Sequence, residues 1–466
     1  MNESFASKVV PATLIVVGLL SLFIWLTNDS TRYFAERIPD ANEAGGVVAG
    51  TGAPSKVQGH LVTSDGVAAD IAGSWPRFRG VNFDGVSREE KGLARSWPAE
   101  GPGVLWSAAM GEGYAGPAIL AGRVYVLDYD REKQADVIRC LSLGDGREIW
   151  RYWYPVSIRR QHGMSRTVPA VTDKYVVSLG PKLHLTCLDS MTGVFRWMFD
   201  LVREFGAAVP AWYAGQCPII ENGKAIIAVG GSSVLMMAVD CNSGQIAWRT
   251  PNPRRWKMTH SSVLATTFKG RRMYVYCGSG GVAGISADDG QILWEYAGWT
   301  IRIANVPTPV EVGEGQVLLT GGYNAGCMLL KLTEQDGKIA AEAVFRLKPE
   351  VFGAPQHTPI FYEGYIYGVR QDGQLVCLEP SGKVVWTSGS DHRFGLGPYM
   401  IADGLIYVMN DSGVLTLAEA TPKGYVQLAE AKVLAGPESW GPMAIVSGRL
   451  IVRDLNRMVC LNVAKQ

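Results

Sequence analysis

The segment CLDSMTGVFRW, from Cys187 to Trp197, is repeated along this chain with small changes. Its copies are CLSLGDGREIW, AVDCNSGQIAW, GISADDGQILW and CLEPSGKVVW, which end at Trp150, Trp248, Trp294 and Trp386. Successive tryptophans lie 47, 51, 46 and 92 residues apart, and Phe345 stands where the longest interval lacks one. A period of about 40–50 residues is typical of a β-propeller, in which each repeat folds as one four-stranded blade.

Each repeat opens with an apolar run, a glycine-containing turn and a second apolar run, which is the pattern of a β-hairpin. Eight such openings are present, at Pro117, Pro169, Pro218, Ser262, Pro307, Pro359, Pro398 and Pro442. The last opening has no fourth strand before Gln466, whereas the segment around Trp106 is a fourth strand without the other three. Pairing the two fragments leaves no open sheet edge. The sequence therefore predicts an all-β, eight-bladed propeller whose N-terminal strand closes the last blade.

Two residue types in the repeat have predicted structural roles. The glycine before each final strand can adopt a positive φ in the turn that leads into it. The tryptophan four residues later offers a large flat ring that fills the wedge between neighbouring blades. These positions are Gly146, Gly193, Gly244, Gly290 and Gly382, and Trp106, Trp150, Trp197, Trp248, Trp294 and Trp386.

Four of the eight cysteines fall at one position of the repeat: Cys140, Cys187, Cys377 and Cys460. We assign Ala238, Gly284, Lys331 and Thr416 to the same position in the other blades. Cysteine serves well as a small buried apolar side chain, and blades related by rotation hold equivalent positions apart. We therefore expect packing here, and neither a metal nor a disulfide. For Cys217, Cys241, Cys277 and Cys327 the sequence leaves a disulfide open.

The N-terminus differs from the repeats. Residues Val9 to Thr27 carry no charge, and as a helix they span about 28 Å, close to the thickness of a bilayer core. We predict a cytoplasmic tail over residues 1–8, a transmembrane signal anchor over 9–27, a flexible Gly- and Ala-rich linker over 28–74 and the propeller over 75–466. The alternative of a cleaved signal peptide is disfavoured because no small-residue cleavage site follows the apolar run. The expected location is the inner (cytoplasmic) membrane, with the propeller on the periplasmic side.

Charge and residue spacing exclude several classes of function. The formal net charge is +1, with 44 Lys and Arg against 43 Asp and Glu, so the chain lacks the basic surface of a nucleic-acid-binding protein. The six histidines show no metal-ligand spacing and have no carboxylate pair beside them. No nucleophile lies in a strand-to-helix elbow. We therefore predict neither a metal site nor a set of catalytic residues.

The repeat resembles the tryptophan-docking motif of quinoprotein alcohol dehydrogenases, A-x-D-x-x-T-G-x-x-x-W, which Cys187–Trp197 and Ala238–Trp248 match closely. The stretch WPRFRGVNFDGVS, from Trp75 to Ser87, resembles the opening of many bacterial PQQ-binding-like propeller repeat proteins. The repeat type is also similar to that of the propeller lipoprotein of the outer-membrane barrel assembly machinery. The resemblance covers residues 75–466 and implies the fold. It implies much less about function, because the motif serves packing.

The chain departs from the dehydrogenases where their chemistry resides. Those enzymes have two adjacent cysteines near the cofactor and a calcium ion held by a Glu, an Asn and an Asp. None of the eight cysteines here is adjacent to another, no CxxCH motif for a c-type haem is present, and the calcium ligands find no counterparts. We therefore expect no cofactor, and in particular no PQQ with calcium.

Polar and aromatic residues that precede the inner strands are predicted to surround one mouth of the channel. They are Arg166, Gln216, His260, Asn305, His357 and Trp440. Such a group suits an anionic or planar ligand; the alternative is that these side chains bond only backbone and channel water. We predict a non-catalytic, membrane-anchored scaffold that binds membrane or periplasmic proteins. The alternatives are a PQQ-dependent dehydrogenase and a propeller that binds a small ligand.

Overall fold

The computed structural model describes residues 16–22, 57–160 and 162–465. Residues 16–22 are helical and exposed. The predicted anchor over 9–27 is described only in that part, and the predicted tail over 1–8 lies outside the described residues. No helix among the described residues is both long and apolar enough to cross a membrane. The propeller belongs to a compact unit that spans Thr51–Gln466.

Over the described residues from 57 onward, the chain forms 35 strands and one short helix, α1 (Leu201–Phe205). Four strands precede the first blade: β1 (His60–Thr63), β2 (Ser74–Trp75), β3 (Val86–Ser87) and β4 (Gly103–Ala109). Blades 1 and 2 consist of β5 (Ala118–Leu120), β6 (Arg123–Asp130), β7 (Ala135–Ser142), β8 (Glu148–Pro155), β9 (Ala170–Val171), β10 (Tyr175–Leu179), β11 (His184–Asp189) and β12 (Phe195–Asp200). Blades 3 and 4 consist of β13 (Ile219–Glu221), β14 (Lys224–Ala228), β15 (Val234–Asp240), β16 (Ile246–Pro251), β17 (Leu264–Phe268), β18 (Arg271–Gly278), β19 (Gly281–Ser286) and β20 (Ile292–Tyr296).

The second half continues the same arrangement. Blades 5 and 6 consist of β21 (Val310–Gly313), β22 (Gln316–Gly321), β23 (Gly326–Gln335), β24 (Lys338–Leu347), β25 (Ile360–Tyr362), β26 (Tyr365–Val369), β27 (Leu375–Leu378) and β28 (Val384–Thr387). Blades 7 and 8 consist of β29 (Tyr399–Ala402), β30 (Leu405–Met409), β31 (Val414–Glu419), β32 (Gln427–Lys432), β33 (Ala444–Val446), β34 (Arg449–Arg453) and β35 (Arg457–Asn462), with β4 as the outer strand of blade 8. The prediction of eight blades is confirmed.

The ring closes by pairing of the two incomplete repeats, as the sequence predicts. Strand β4 pairs antiparallel with β35, and Trp106 lies opposite Cys460. Every predicted opening lies within three residues of the start of an inner strand, and most residues of these strands are buried. Buried Val, Ile, Leu and Ala side chains of neighbouring blades form the core between the sheets.

The tryptophans and the turn glycines meet between blades. The indole Nε1 of Trp106 donates to the carbonyl of Leu143 at 2.9 Å, and a Cβ on Gly146 would lie 2.6 Å from the Trp106 ring. Gly146 has a φ of 73°, so a side chain there would be strained as well as crowded. The same arrangement recurs between blades: Trp150 on Gly193, Trp197 on Gly244, Trp248 on Gly290 and Phe345 on Gly382. Trp294 differs, because its Nε1 faces the sulfur of Met273 in its own blade.

The cysteine position is partly corrected. Cys140, Cys187, Cys377 and Cys460 each lie opposite the tryptophan of their blade. Opposite Phe345 lies Leu329, two residues before the predicted Lys331, because β23 and β24 form a hairpin of ten residues on each side. In blade 7 the bulge that marks this position follows Leu417, so the predicted Thr416 is also wrong. All eight cysteines are buried and unpaired.

Part of the flexible linker predicted for residues 28–74 pairs with the propeller instead. Residues 28–56 lie outside the described residues, but from Val57 onward the chain lies on the propeller. Strand β1 pairs with β8 and adds a fifth strand to the outside of blade 1, with His60 opposite Trp153. Their rings stack at 4.2 Å. The sequence did not indicate this strand, because the stretch is rich in Gly and Ala and the strand contains only two apolar residues, Leu61 and Val62.

Residues 74–87 cross the inside of the ring. Strand β2 pairs with β5, the inner strand of blade 1, and β3 pairs in parallel with β29, the inner strand of blade 7. Between them, the buried Arg79 guanidinium donates to the carbonyls of Thr358 and Pro359 at 2.9 Å, and burial lowers its pKa to about 10. The motif that opens the propeller domain is therefore a plug inside the inner strands.

Candidate binding site at the mouth of the channel

A cavity of about 280 Å³ lies at one mouth of the ring, where the loops before the inner strands converge. Every blade contributes at least one residue to its wall, and Phe78 of the plug adds another. The wall consists of Phe78, Tyr114, His162, Arg166, Trp212, Gly215, Cys217, His260, Ser262, Ala304, Val306, Tyr323, Gln356, His357, Leu396, Trp440 and Pro442. Four of the six predicted mouth residues are among them: Arg166, His260, His357 and Trp440.

Arg166 places a cation in this wall. Its Nε donates to the carbonyl of Trp212 at 2.6 Å, and its guanidinium lies 5.1 Å from the centre of the Tyr114 ring. Burial lowers the pKa of Arg166 to about 10, which still leaves it charged at neutral pH. The Tyr114 hydroxyl donates to Glu438 at 2.6 Å and accepts from the Gly163 N–H. Burial and the bond to Glu438 raise the pKa of Tyr114, so its hydroxyl remains a donor.

The two buried histidines are neutral. The Nε2 of His260 lies 2.7 Å from the carbonyl of Ala211, and burial, with the charge of Arg166, lowers the pKa of His260 to about 4. Burial also lowers the pKa of His357 to about 4. Its Nε2 is buried and has no hydrogen-bond partner among the described residues. Arg166 is therefore a cation in the wall at pH 7, and His260 and His357 are neutral imidazoles there.

Trp440 and Trp212 supply flat apolar surface. The Trp440 Nε1 donates to Asp411 at 2.7 Å, and its ring lies 5.1 Å from that of Tyr114. Trp212, with a φ of 62°, lies 6.4 Å from the His260 ring. A strained non-glycine backbone of this kind often marks a functional loop.

The other two predicted mouth residues do not line the cavity. Gln216 is fully buried, and its amide bonds both backbone groups of Ala228, at 2.8 and 3.2 Å. Asn305 is buried between the wall residues Ala304 and Val306, and its amide atoms have no partner among the described residues. Sequence reasoning missed Phe78 of the plug, Tyr114 in the loop between blades 8 and 1, and Glu438 in the loop between blades 7 and 8.

The histidines predict a pH dependence of stability. A histidine with an unfolded pKa of about 6.5 and a folded pKa near 4 takes up its proton on unfolding, so stability is complete above pH 6.5 and falls between about 6.5 and 4. For His357 the full loss of stability is roughly 3 kcal/mol.

We expect His357→Gln to reduce the difference in unfolding free energy between pH 7.5 and pH 4.5, measured in urea. The matched control is His162→Gln, since the His162 side chain is 55% exposed. An equal pH dependence in wild type and His357→Gln would contradict the prediction.

The residues of the mouth do not fit a quinone with its calcium ion. The cavity wall contains no Asp or Glu, although calcium requires several carboxylate and carbonyl oxygens. Across residues 16–22, 57–160 and 162–465, no three His, Cys, Asp or Glu side chains converge as a metal site. Glu438 and Asp411 accept hydrogen bonds from two residues of the wall, Tyr114 and Trp440.

Two solved structures of known proteins have a similar fold. The structure is similar to BamB from Moraxella catarrhalis, with 15% identity and a TM-score of 0.56 over 77% of this chain and 99% of that one. It is also similar to quinohemoprotein alcohol dehydrogenase from Comamonas testosteroni, with 14% identity and a TM-score of 0.58 over 84% of this chain and 81% of that one. These likenesses concern the fold alone. No curated protein sequence matches the chain.

The family comparison concerns the repeats themselves. The family model described as outer membrane protein assembly factor BamB matches residues 133–387, which is more than half of the chain. The matched part includes the tryptophan-ended repeats from Trp150 to Trp386 and the mouth residues Arg166, His260 and His357. This chain is therefore a member of the BamB-type family of PQQ-like β-propeller repeat proteins.

Proposed function

We propose that this chain is a non-catalytic propeller that binds other proteins of a bacterial envelope complex through a groove on the outside of blades 1 and 2. The observation that carries the proposal is the apolar character of that groove. It has a volume of about 820 Å³ and lies between β1 and β12. The name of the family, an assembly factor, agrees with a role in binding other proteins.

The walls of the groove expose apolar side chains that a soluble domain usually buries. Leu61 is 38% exposed on one side, and Val194 and Phe195 are 51% and 43% exposed on the other. The floor contains Tyr152, whose ring stacks on Phe195 at 5.8 Å, and Trp197. Contiguous apolar surface of this kind marks interaction sites on proteins.

Two open strand edges favour an extended protein segment as the occupant. Among the described residues, no strand pairs with the outer edge of β1 or of β12. An added strand would gain backbone hydrogen bonds from either edge and place alternate side chains in the groove. Asp200, Arg203 and Glu204 line one end, so polar groups of the partner would meet charges there.

The location belongs to the same proposal. We place the propeller on the periplasmic side of the inner membrane, held by the apolar segment over residues 9–27. The uncharged sequence of this segment supports the anchor. The family name supports an envelope setting.

The test changes the groove without changing the mouth. We expect Leu61→Asp with Phe195→Asp to remove the proteins that co-purify with the full-length chain from envelope membranes after photo-crosslinking at position 194. The physical reason is that two carboxylates prevent burial of the apolar surface. Val344→Asp is the matched control, since Val344 is 55% exposed on the outer strand of blade 5.

Two outcomes would contradict the proposal. One is an unchanged set of crosslinked proteins in the groove variant. The other is calcium-dependent oxidation of an alcohol by the purified chain supplied with PQQ, which would favour the dehydrogenase alternative. The fold shared with quinohemoprotein alcohol dehydrogenase motivates this control.

A further inference from the structure

The mouth cavity is a cup that the protein closes from below with its own N-terminal segment. Phe78, in the middle of the plug, forms part of the wall, and the plug is held on both sides by strand pairing. Arg77, one residue earlier, reaches towards the carbonyl of Ile220 in blade 3 at 3.4 Å and lines a separate cavity, together with Glu221. Neighbouring residues of the plug therefore line two separate cavities, the cup and the cavity that contains Glu221.

The wall of the cup suits a ligand with a flat apolar body. Aromatic rings come from Phe78, Tyr114, Trp212, Tyr323 and Trp440. Apolar side chains of Val306, Leu396 and Pro442 fill the space between them. Its volume of about 280 Å³ lies just below the range for small-molecule sites, which is about 300–1,000 Å³. This size suits one or two fused rings.

The polar groups of the cup favour a negatively charged ligand. Arg166 is the only Lys, Arg, Asp or Glu in the described wall, so the wall itself is cationic. Glu438 lies behind Tyr114, where it raises the pKa of the Arg166 guanidinium but does not line the cavity. The buried Nε2 of His357 and the hydroxyl of Ser262 provide further hydrogen-bonding groups at the wall.

We infer that the cup binds a small organic anion with a planar apolar body and one carboxylate, without a metal ion. The rings enclose the body, and the Arg166 guanidinium attracts the carboxylate at the side of the cup. This site is distinct from the groove between blades 1 and 2, so the inference does not depend on the proposed protein partner.

The test uses two nearly isosteric probes, indole-3-acetate and its neutral amide, indole-3-acetamide, titrated calorimetrically into the purified full-length chain. We expect the acetate to bind about tenfold or more tightly than the amide, the difference expected for one charge-assisted hydrogen bond. Arg166→Gln should remove this difference, and Arg166→Lys should retain part of it. Arg254→Gln, which changes an exposed arginine paired with Glu295, is the matched control and should bind as wild type does.

Each other outcome has a defined meaning. Equal binding of acetate and amide, or no binding of either at millimolar concentration, would overturn the inference. Acetate binding that requires added calcium would overturn its metal-free form. If Arg166→Gln fails to fold, as a lost cooperative thermal transition would show, Tyr323→Ala replaces it. Tyr323 is 47% exposed at the rim, and its removal should weaken both probes by the same factor. Unchanged binding in Tyr323→Ala would place the probes outside the cup.

Discussion

We expect a chain that lacks residues 98–110 to be recovered as aggregate, with no cooperative thermal transition. These residues contain β4, the outer strand of blade 8, which comes from the N-terminal side of the whole ring. Without β4, the edge of β35 from Arg457 to Asn462 is open to other chains. Open strand edges of this kind lead to association between molecules.

Loss of β4 also removes one contact between the last and first blades, that of Trp106. Trp106 is 6% exposed and rests on Gly146 of blade 1. We expect Trp106→Ala alone to cost about 3–5 kcal/mol, the range for a buried tryptophan. The full deletion should cost more, because the six-residue pairing with β35 is lost as well.

Solubility, near-ultraviolet circular dichroism and urea unfolding measure these effects. The control replaces Arg131, Glu132 and Lys133, which form an exposed turn, with glycines. This variant should remain soluble and lose little stability, because its surface ion pairs contribute little. A soluble, cooperatively folded chain without residues 98–110 would show that the ring does not depend on this closure.

The second large effect is expected at Arg453, a fully buried arginine in β34 of the last blade. Its guanidinium donates to the carbonyls of Ala115 and Gly111, at 3.1 and 2.8 Å, before blade 1. It also lies 3.7 Å from the carboxylate of Asp128. Arg453→Met would leave these carbonyls and part of the charge of Asp128 without their partner. We expect a loss of about 3–5 kcal/mol, as for other broken buried ion pairs.

Urea unfolding of three variants checks this expectation. Arg457→Met is the control, because Arg457 is exposed and its side chain donates to the Ser107 hydroxyl. Adding Asp128→Asn to Arg453→Met should recover part of the loss, since the unbalanced carboxylate disappears. A loss no larger than that of Arg457→Met would mean that the guanidinium does not link the two blades.

The fold could be predicted because its signals recur. Eight hairpin openings and a recurring tryptophan, with successive intervals of 47, 51, 46 and 92 residues from Trp150 onward, indicate the number of blades, and the two incomplete repeats indicate the closure. Each signal is local, so counting along the chain is sufficient. Counting failed at two positions of the repeat: at Lys331 in blade 5, where the hairpin is longer than the others, and at Thr416 in blade 7, where the bulge follows Leu417. At such positions the strand register depends on a β-bulge, and no residue type in the sequence indicates where the bulge lies.

The site could be predicted only in part, because it is made from loops. Loops have no periodicity, and a shift of one residue decides whether a side chain faces the cavity or the backbone behind it. Arg166 and His357 face the cavity, whereas Gln216 bonds Ala228 and Asn305 lies between two wall residues. The sequence could indicate which loops meet at the mouth, since all precede inner strands.

The amino-acid sequence by itself determined the repeat, the number of blades and the position of the closing strand, because hydrophobic periodicity and turn glycines act over a few residues. The tertiary structure alone decided that residues 74–87 plug the ring and that β1 extends blade 1. It also decided that the mouth is a cationic, aromatic cup. These features join residues far apart in the chain, such as Phe78 and Trp440, and their contacts depend on the closed ring.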